Sequence, residues 1–264
     1  MEDAHGEAAA LAALPLPAPA CLPPAESTVL IVALTGMLEA AYKIAALISG
    51  TSSAIELPSA PLAGARTFPW LLHTRYYSAS LYLLVVSEST AGGAFGSGVP
   101  DDGGGALASL ASGCGAVVAL FDDGPVAAGG GSVGWARLTA VWEGAIASAG
   151  EEADVCVALG VRPPADGSTE VERGGTAERI EWALDHHVEL LESELTSDWS
   201  TAESAAAAAR GESRSQGMGA SEDAEGLTRL IEALQCRVWP AHEGSKDRSV
   251  LRAKHESAWR GFAA

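Results

Sequence analysis

Positive charge is scarce in this chain. It has 16 Lys and Arg against 34 Asp and Glu, a net charge of −18. That balance argues against nucleic acid and anionic membrane surfaces, both of which select basic patches. It fits a soluble protein or one that docks on a basic partner surface. Cysteine is also scarce, and Cys21, Cys114, Cys156 and Cys236 are scattered. None has C-x-x-C spacing, so neither a zinc site nor a disulfide scaffold is indicated. Cys156 lies inside an apolar run and reads as a reduced core residue, which fits the cytosol. A membrane-length apolar run is missing too. The longest, Thr28 to Ile48, contains Glu39 and Lys43 and parses as strand plus helix. No G-x-S-x-G elbow and no Cys/His pair at a familiar spacing points to nucleophilic catalysis. Leu11 to Cys21 resembles a signal-peptide cleavage region. Yet Glu2, Asp3 and Glu7 precede it with no Lys or Arg, and Pro15, Pro17 and Pro19 break any helix. Residues 1–26 are expected to form a disordered Ala/Pro-rich arm.

What is present is a hydrophobic content of 48%, ample for a core. The chain is organised around Thr28 to Gly50. An apolar run of strand length (TVLIVAL) leads through Gly36 into Leu38, Ala41, Tyr42, Ala45 and Ile48 at helical spacing. Nucleotide-binding α/β domains begin this way. Two extended runs follow, Arg66 to Leu72 and Tyr76 to Val86, joined closely enough for an antiparallel hairpin. Further apolar strands are expected at Ala116 to Phe121, Asp154 to Leu159 and Val188 to Glu192. Helices are expected at Ala106 to Ser112, Val133 to Ser148 and Thr176 to His186. The last of these places Ile180, Ala183 and Leu184 inward. A final helix carries Leu227, Leu230, Ile231, Leu234 and Val238 at i, i+3, i+4, i+7 spacing. Residues 201–225, rich in Ala, Ser, Gly and Glu, are expected to be a disordered insertion.

Wholly apolar strands alternating with helices imply a mostly parallel sheet buried on both faces. The order of strand, helix, hairpin and then helix–strand units is that of Ras-like small GTPases. The expected fold is α/β and Ras/Rab-like. It has a mostly parallel six-stranded sheet, one antiparallel edge hairpin and helices on both faces. The nucleotide motifs, however, fail at each address. The phosphate loop G-x-x-x-x-G-K-[ST] needs backbone N–H groups, a Lys charge and a metal-binding hydroxyl. Counted from Gly36, those positions hold Ala41, Tyr42 and Lys43, and Glu39 places negative charge beside the phosphate position. D-x-x-G is replaced by Ser87, Glu88, Ser89 and Thr90. N-K-x-D is replaced by Val161, Arg162, Pro163 and Pro164, and S-A-K by Ser193, Glu194 and Leu195. No catalytic, cofactor-binding or metal-binding residue is expected.

Arg66 to Val86 reads RTFPWLLHTRYYSASLYLLVV. This block resembles the alpha- and gamma-adaptin-binding protein family, through Phe68, Pro69, Trp70, Arg75, Tyr76, Tyr77, Ser78 and Ala79. Glu181-Trp182 with VELLESEL, and RLIEALQCRVW followed by Lys246-Asp247-Arg248, are similar to the family as well. The resemblance implies a Rab-like pseudo-GTPase domain over residues 27–242, followed by a tail at 243–264. It implies a cytosolic, non-enzymatic chaperone that binds the large alpha or gamma and the small sigma subunits of clathrin adaptor complexes during vesicle transport. It leaves homodimerisation open. The alternative is a degenerate nucleotide-binding protein with slow residual GTPase activity.

Phe68, Pro69, Trp70, Arg75, Tyr76 and Tyr77 are the candidate protein-binding residues. Aromatics on a hairpin anchor partners or fill the core beneath it. Tyr76 and Tyr77, as neighbours on a strand, point to opposite faces, which allows one of each. His186 and His187 near a helix C-terminus suit the dipole rather than a metal. Asp122 and Asp123 before Gly124 suit a turn, although the carboxyl edge of a sheet is where α/β active sites cluster.

Overall fold

Thr28–Ala33 forms strand β1, and each of its six residues is buried. Val29, Ile31 and Ala33 pack into one hydrophobic cluster, and Leu30 and Val32 into a second on the opposite face. That two-sided burial is why the run is apolar without alternation. Fully burying one such Val, Leu or Ile contributes about 1.5–3 kcal/mol. The computed structural model describes residues 24–51, 54–56, 65–74, 76–91, 103–124, 133–147, 153–162, 176–194, 199–212 and 226–240.

The other strands are β2 (Ile55–Glu56), β3 (Arg66–His73), β4 (Ser78–Ser87), β5 (Ala116–Asp122), β6 (Val155–Arg162) and β7 (Glu189–Glu194). The sheet order is β2-β3-β4-β1-β5-β6-β7. β1 pairs in parallel with β4 and β5, and β6 in parallel with β5 and β7. β3 runs antiparallel to β4 and to β2. The α/β class and the mostly parallel sheet are as expected. The expected six strands gain a seventh, the two-residue β2.

Helix α1 is Leu38–Ser49, α2 Glu88–Ala91, α3 Gly103–Ala111 and α4 Val133–Val141. A π-helical turn, Trp142–Ile146, continues α4. Then come α5 (Thr176–Asp185), α6 (Trp199–Ala209) and α7 (Gly226–Cys236). Residues of α1, α6 and α7 join the first cluster. Residues of α3, α4, the π turn and α5 join the second. Among the described residues no helix is long and apolar enough to cross a membrane.

The structure corrects several expectations. The expected disordered insertion begins inside a helix. Ala202, Ala205, Ala206 and Ala209 of α6 are buried at i, i+3, i+4, i+7 spacing. Alanine supplies a smooth stripe that lets α6 approach its neighbours closely, so no large apolar residue is required. Residues 213–225 lie outside the described residues. Helix α5 is turned relative to expectation. Ile180 and Leu184 are 50% and 70% exposed, while Ala183 and Arg179 are buried. Val238 lies beyond the end of α7 and is exposed. The next residue, Trp239, folds back instead and donates from Nε1 to the Leu234 carbonyl at 2.7 Å. Ala25–Ser27 is a 3-10 turn leading into β1. Of the expected arm and tail, residues 1–23 and 241–264 lie outside the described residues.

Candidate functional site

β1, β4, β5, β6 and β7 all point the same way, so their carboxyl ends share one edge of the sheet. In open α/β sheets ligands bind there. Between β1 and α1 lie four residues, 34–37. This connection is far shorter than a G-x-x-x-x-G-K-[ST] loop. Gly36 takes φ +83°, and the Met37 N–H closes the turn onto the Leu34 carbonyl at 2.8 Å. That N–H is spent within the chain rather than aimed at an anion. Lys43 is exposed and lies more than one turn along α1.

Two ionic groups of the chain itself occupy this edge. In the first, Glu88 follows β4 and is 5% exposed. Its carboxylate accepts from the Thr35 hydroxyl, and from Arg137 Nε on α4 at 3.1 Å. Glu88 therefore ties the β1 turn, the end of β4 and α4 together. In the second, Asp123 follows β5. Its side chain accepts from Arg179 Nη1 at 2.6 Å and Arg162 Nε at 2.9 Å. Arg162, at the end of β6, also pairs with Glu192 of β7. Burial works against the Arg162 charge, but the Asp123 hydrogen bond and the Glu192 carboxylate hold its pKa above the usual value. The Arg179 guanidinium also lies 5.3 Å over the Trp135 ring.

Helix α4 starts directly on this edge. Gly134 lies so close to β5 that a methyl group at its position would overlap the Asp122 carbonyl oxygen. Among the described residues of this edge, buried carboxylates already engage the arginines that could meet phosphate charge, and the turn between β1 and α1 offers no cradle.

Asp122 accepts from the Gly124 N–H at 2.9 Å, the turn role expected of it. Asp123 does more than turn the chain, since it is the centre of the second ionic group. The sequence reading missed Glu88, Arg137, Arg162, Arg179 and Glu192 as partners. The available signal was charge at the ends of apolar strands, at Glu88 and Arg162, where GTPase motifs had failed.

The hairpin residues divide. Phe68 and Trp70 are buried in the first cluster, and Trp70 is fully inaccessible. They pack the core beneath the hairpin and present no surface to a partner. Pro69 is half-buried in β3, where it pairs with Tyr82 of β4. Tyr77 is half-buried. Its hydroxyl donates to the Arg237 carbonyl and accepts from the Trp239 N–H at 3.3 Å. Burial raises its pKa above the ordinary phenol value. Tyr76 is 67% exposed. Arg75 lies outside the described residues. Thr74 shapes the turn, accepting from the N–H groups of Tyr76 and Tyr77 at 3.2 and 3.1 Å. This turn lies at the amino edge of the sheet, opposite the two ionic groups.

His186 stacks on Trp182 with ring centroids 4.3 Å apart, and its Nδ1 lies 2.8 Å from the Trp182 carbonyl. His187 is exposed, with φ 54°. Among the described residues no group of three or more His, Cys, Asp or Glu is arranged to hold a metal ion.

No protein-family model matches the chain, and no curated protein matches it.

Proposed function

We propose that this chain is a Ras/Rab-like pseudo-GTPase that works by binding proteins rather than nucleotide. One observation carries the reading: the edge of the sheet where a triphosphate would sit is filled by Glu88 and Asp123, each held by arginine of the same chain. The six long strands support the Ras-like assignment. Numbered in sequence without β2, they run 2-3-1-4-5-6 across the sheet, the Ras arrangement.

The partner reading rests on the resemblance of residues 66–86 to the adaptin-binding family. On that reading the chain is a cytosolic chaperone of clathrin adaptor complexes. It holds unassembled large alpha or gamma and small sigma subunits, whose exposed apolar interfaces would otherwise aggregate. Titration of fluorescent GTP with Mg²⁺ tests the first half, and the expected result is no saturable binding in the micromolar range. Micromolar affinity would favour a degenerate nucleotide-binding protein instead. Co-expression with adaptor small subunits tests the second half. Retention and improved solubility of a subunit are expected; a subunit neither retained nor solubilised rules out the adaptor role.

A further inference from the structure

Helix α5 exposes a face that the rest of the described chain leaves bare. Ala177, Glu178, Ile180, Glu181, Leu184 and Asp185 are all exposed on it. Ile180 and Leu184 stand one turn apart, 50% and 70% exposed. Around them are three carboxylates with no ion-pair partner among the described residues. The helix's own arginine, Arg179, points inward to Asp123. The face is therefore apolar at its centre and negative at its rim.

The chemistry that fits it is a segment with apolar anchors and basic flanks. This chain contains one. Residues 241–264 hold Lys246, Arg248, Arg252, Lys254 and Arg260, five of the 16 basic residues in the whole sequence. They hold only three acidic residues, Glu243, Asp247 and Glu256. Val250, Leu251, Trp259 and Phe262 supply large apolar groups.

The geometry brings the two within reach. The described chain leaves at Pro240. Just before it, Arg237 pairs with Asp154 at 3.3 Å, immediately ahead of β6. Helix α5 ends immediately ahead of β7, which lies beside β6. Neighbouring strands are about 4.8 Å apart. The exit point and the last turn of α5 thus share the amino edge of the sheet, on its two opposite faces, so the segment must pass around that edge to reach α5. The 24 residues beyond Pro240 reach up to about 80 Å when extended. A helix the length of α5 spans only about 15 Å.

We infer that residues 246–262 pack in cis across the outer face of α5. The segment's apolar residues sit on Ile180 and Leu184, and its cations sit against Glu178, Glu181 and Asp185. Tethering makes a modest contact sufficient, because a short linker gives an effective concentration on the order of mM. A second copy offering its own α5 is disfavoured, since the carboxylates would then face each other. This inference does not depend on the adaptor reading.

Zero-length carboxyl–amine crosslinking of the full chain at low micromolar concentration, read by mass spectrometry, tests it. Lys246 or Lys254 should join Glu178, Glu181 or Asp185 within single chains. The yield should drop at least fivefold in 1 M NaCl. It should drop comparably in an Ile180→Ser/Leu184→Ser variant. Both sites are exposed, so the thermal midpoint of that variant should stay within a few degrees of the parent. Absence of these crosslinks overturns the inference. So does their survival in that variant, or their confinement to dimers, which would assign the face to a second copy.

Discussion

Gly134 lies in the first turn of α4 against the end of β5, and a methyl group there meets the backbone oxygen of Asp122. Backbone cannot swing aside as a side chain can, so α4 must shift. Gly134→Ala should cost about 1–3 kcal/mol, visible as a lower urea midpoint, although alanine is the better helix former. Two thiols, Cys114 buried and Cys156 half-buried, make a different prediction. Burial pushes Cys114 and Cys156 up to about 11, and the Asp154 charge adds to the effect at Cys156. The unfolded chain ionises these thiols first, so the folded state holds more protons above the ordinary thiol value. Their contribution is complete at neutral pH and is lost as pH rises from about 8.5 toward 11. Chemical denaturation at pH 7, 9 and 10.5 should show a loss of about 1–2 kcal/mol per thiol. Cys114→Ala/Cys156→Ala should flatten the profile. For partner binding, Tyr76 is the candidate residue with open surface. On the proposed adaptor reading, Tyr76→Ala should weaken capture of an adaptor small subunit several-fold while leaving the thermal midpoint unchanged. Loss of that midpoint would place Tyr76 in the structural set with Phe68 and Trp70.

At the scale of elements, the alanine stripe of α6 is the sharpest case. Ala206 is fully buried where α6 packs into the first cluster. Ala206→Leu should destabilise by about 1–3 kcal/mol through overpacking. Ser204→Leu on the exposed side should stay within about 0.5 kcal/mol. Comparing the two denaturation curves checks that packing, rather than helix propensity, holds α6. The same helix shows where the sequence was opaque. The apolar runs of β1, β4, β5 and β6 were legible because burial on both faces demands large apolar residues without interruption. Buried alanines carry a weaker signal, since Ala is also a strong helix former on exposed faces. Helix α5 misled for another reason. Its apolar positions pointed to an inward Ile180 and Leu184, but the helix is turned to deliver Arg179 to Asp123. The inward side carries Arg179 and Ala183 instead, and only the three-dimensional position of Asp123 reveals that. The candidate site was legible as a set of failures, such as Glu88 in place of D-x-x-G. What those residues do instead required knowing that α4 and α5 reach over the same edge.

For the whole molecule, the question is what ties the strand ends to the helices along the carboxyl edge. In a nucleotide switch the ligand's phosphates and metal would organise these loops. Here Asp123 joins the ends of β5 and β6 to α5, and Glu88 joins the β1 turn and the end of β4 to α4. A buried charge pair is weak evidence of net stabilisation, but removing one member strands the other. Asp123→Ala leaves Arg179 buried beside Arg162 with no carboxylate between them. It should cost about 3–5 kcal/mol. Asp123→Ala combined with Arg179→Met removes both charges and should recover much of that loss. The four corners of this double-mutant cycle, measured by urea denaturation, should give a coupling of about 0.5–3 kcal/mol. A coupling near zero would mean that the edge is held by packing alone. The single variant also addresses function. If the ionic groups substitute for nucleotide, opening one by Asp123→Ala should not create GTP binding, because the phosphate loop is still missing. Saturable GTP binding by that variant would mean that a competent site lies beneath the arginines and that the edge is gated rather than lost.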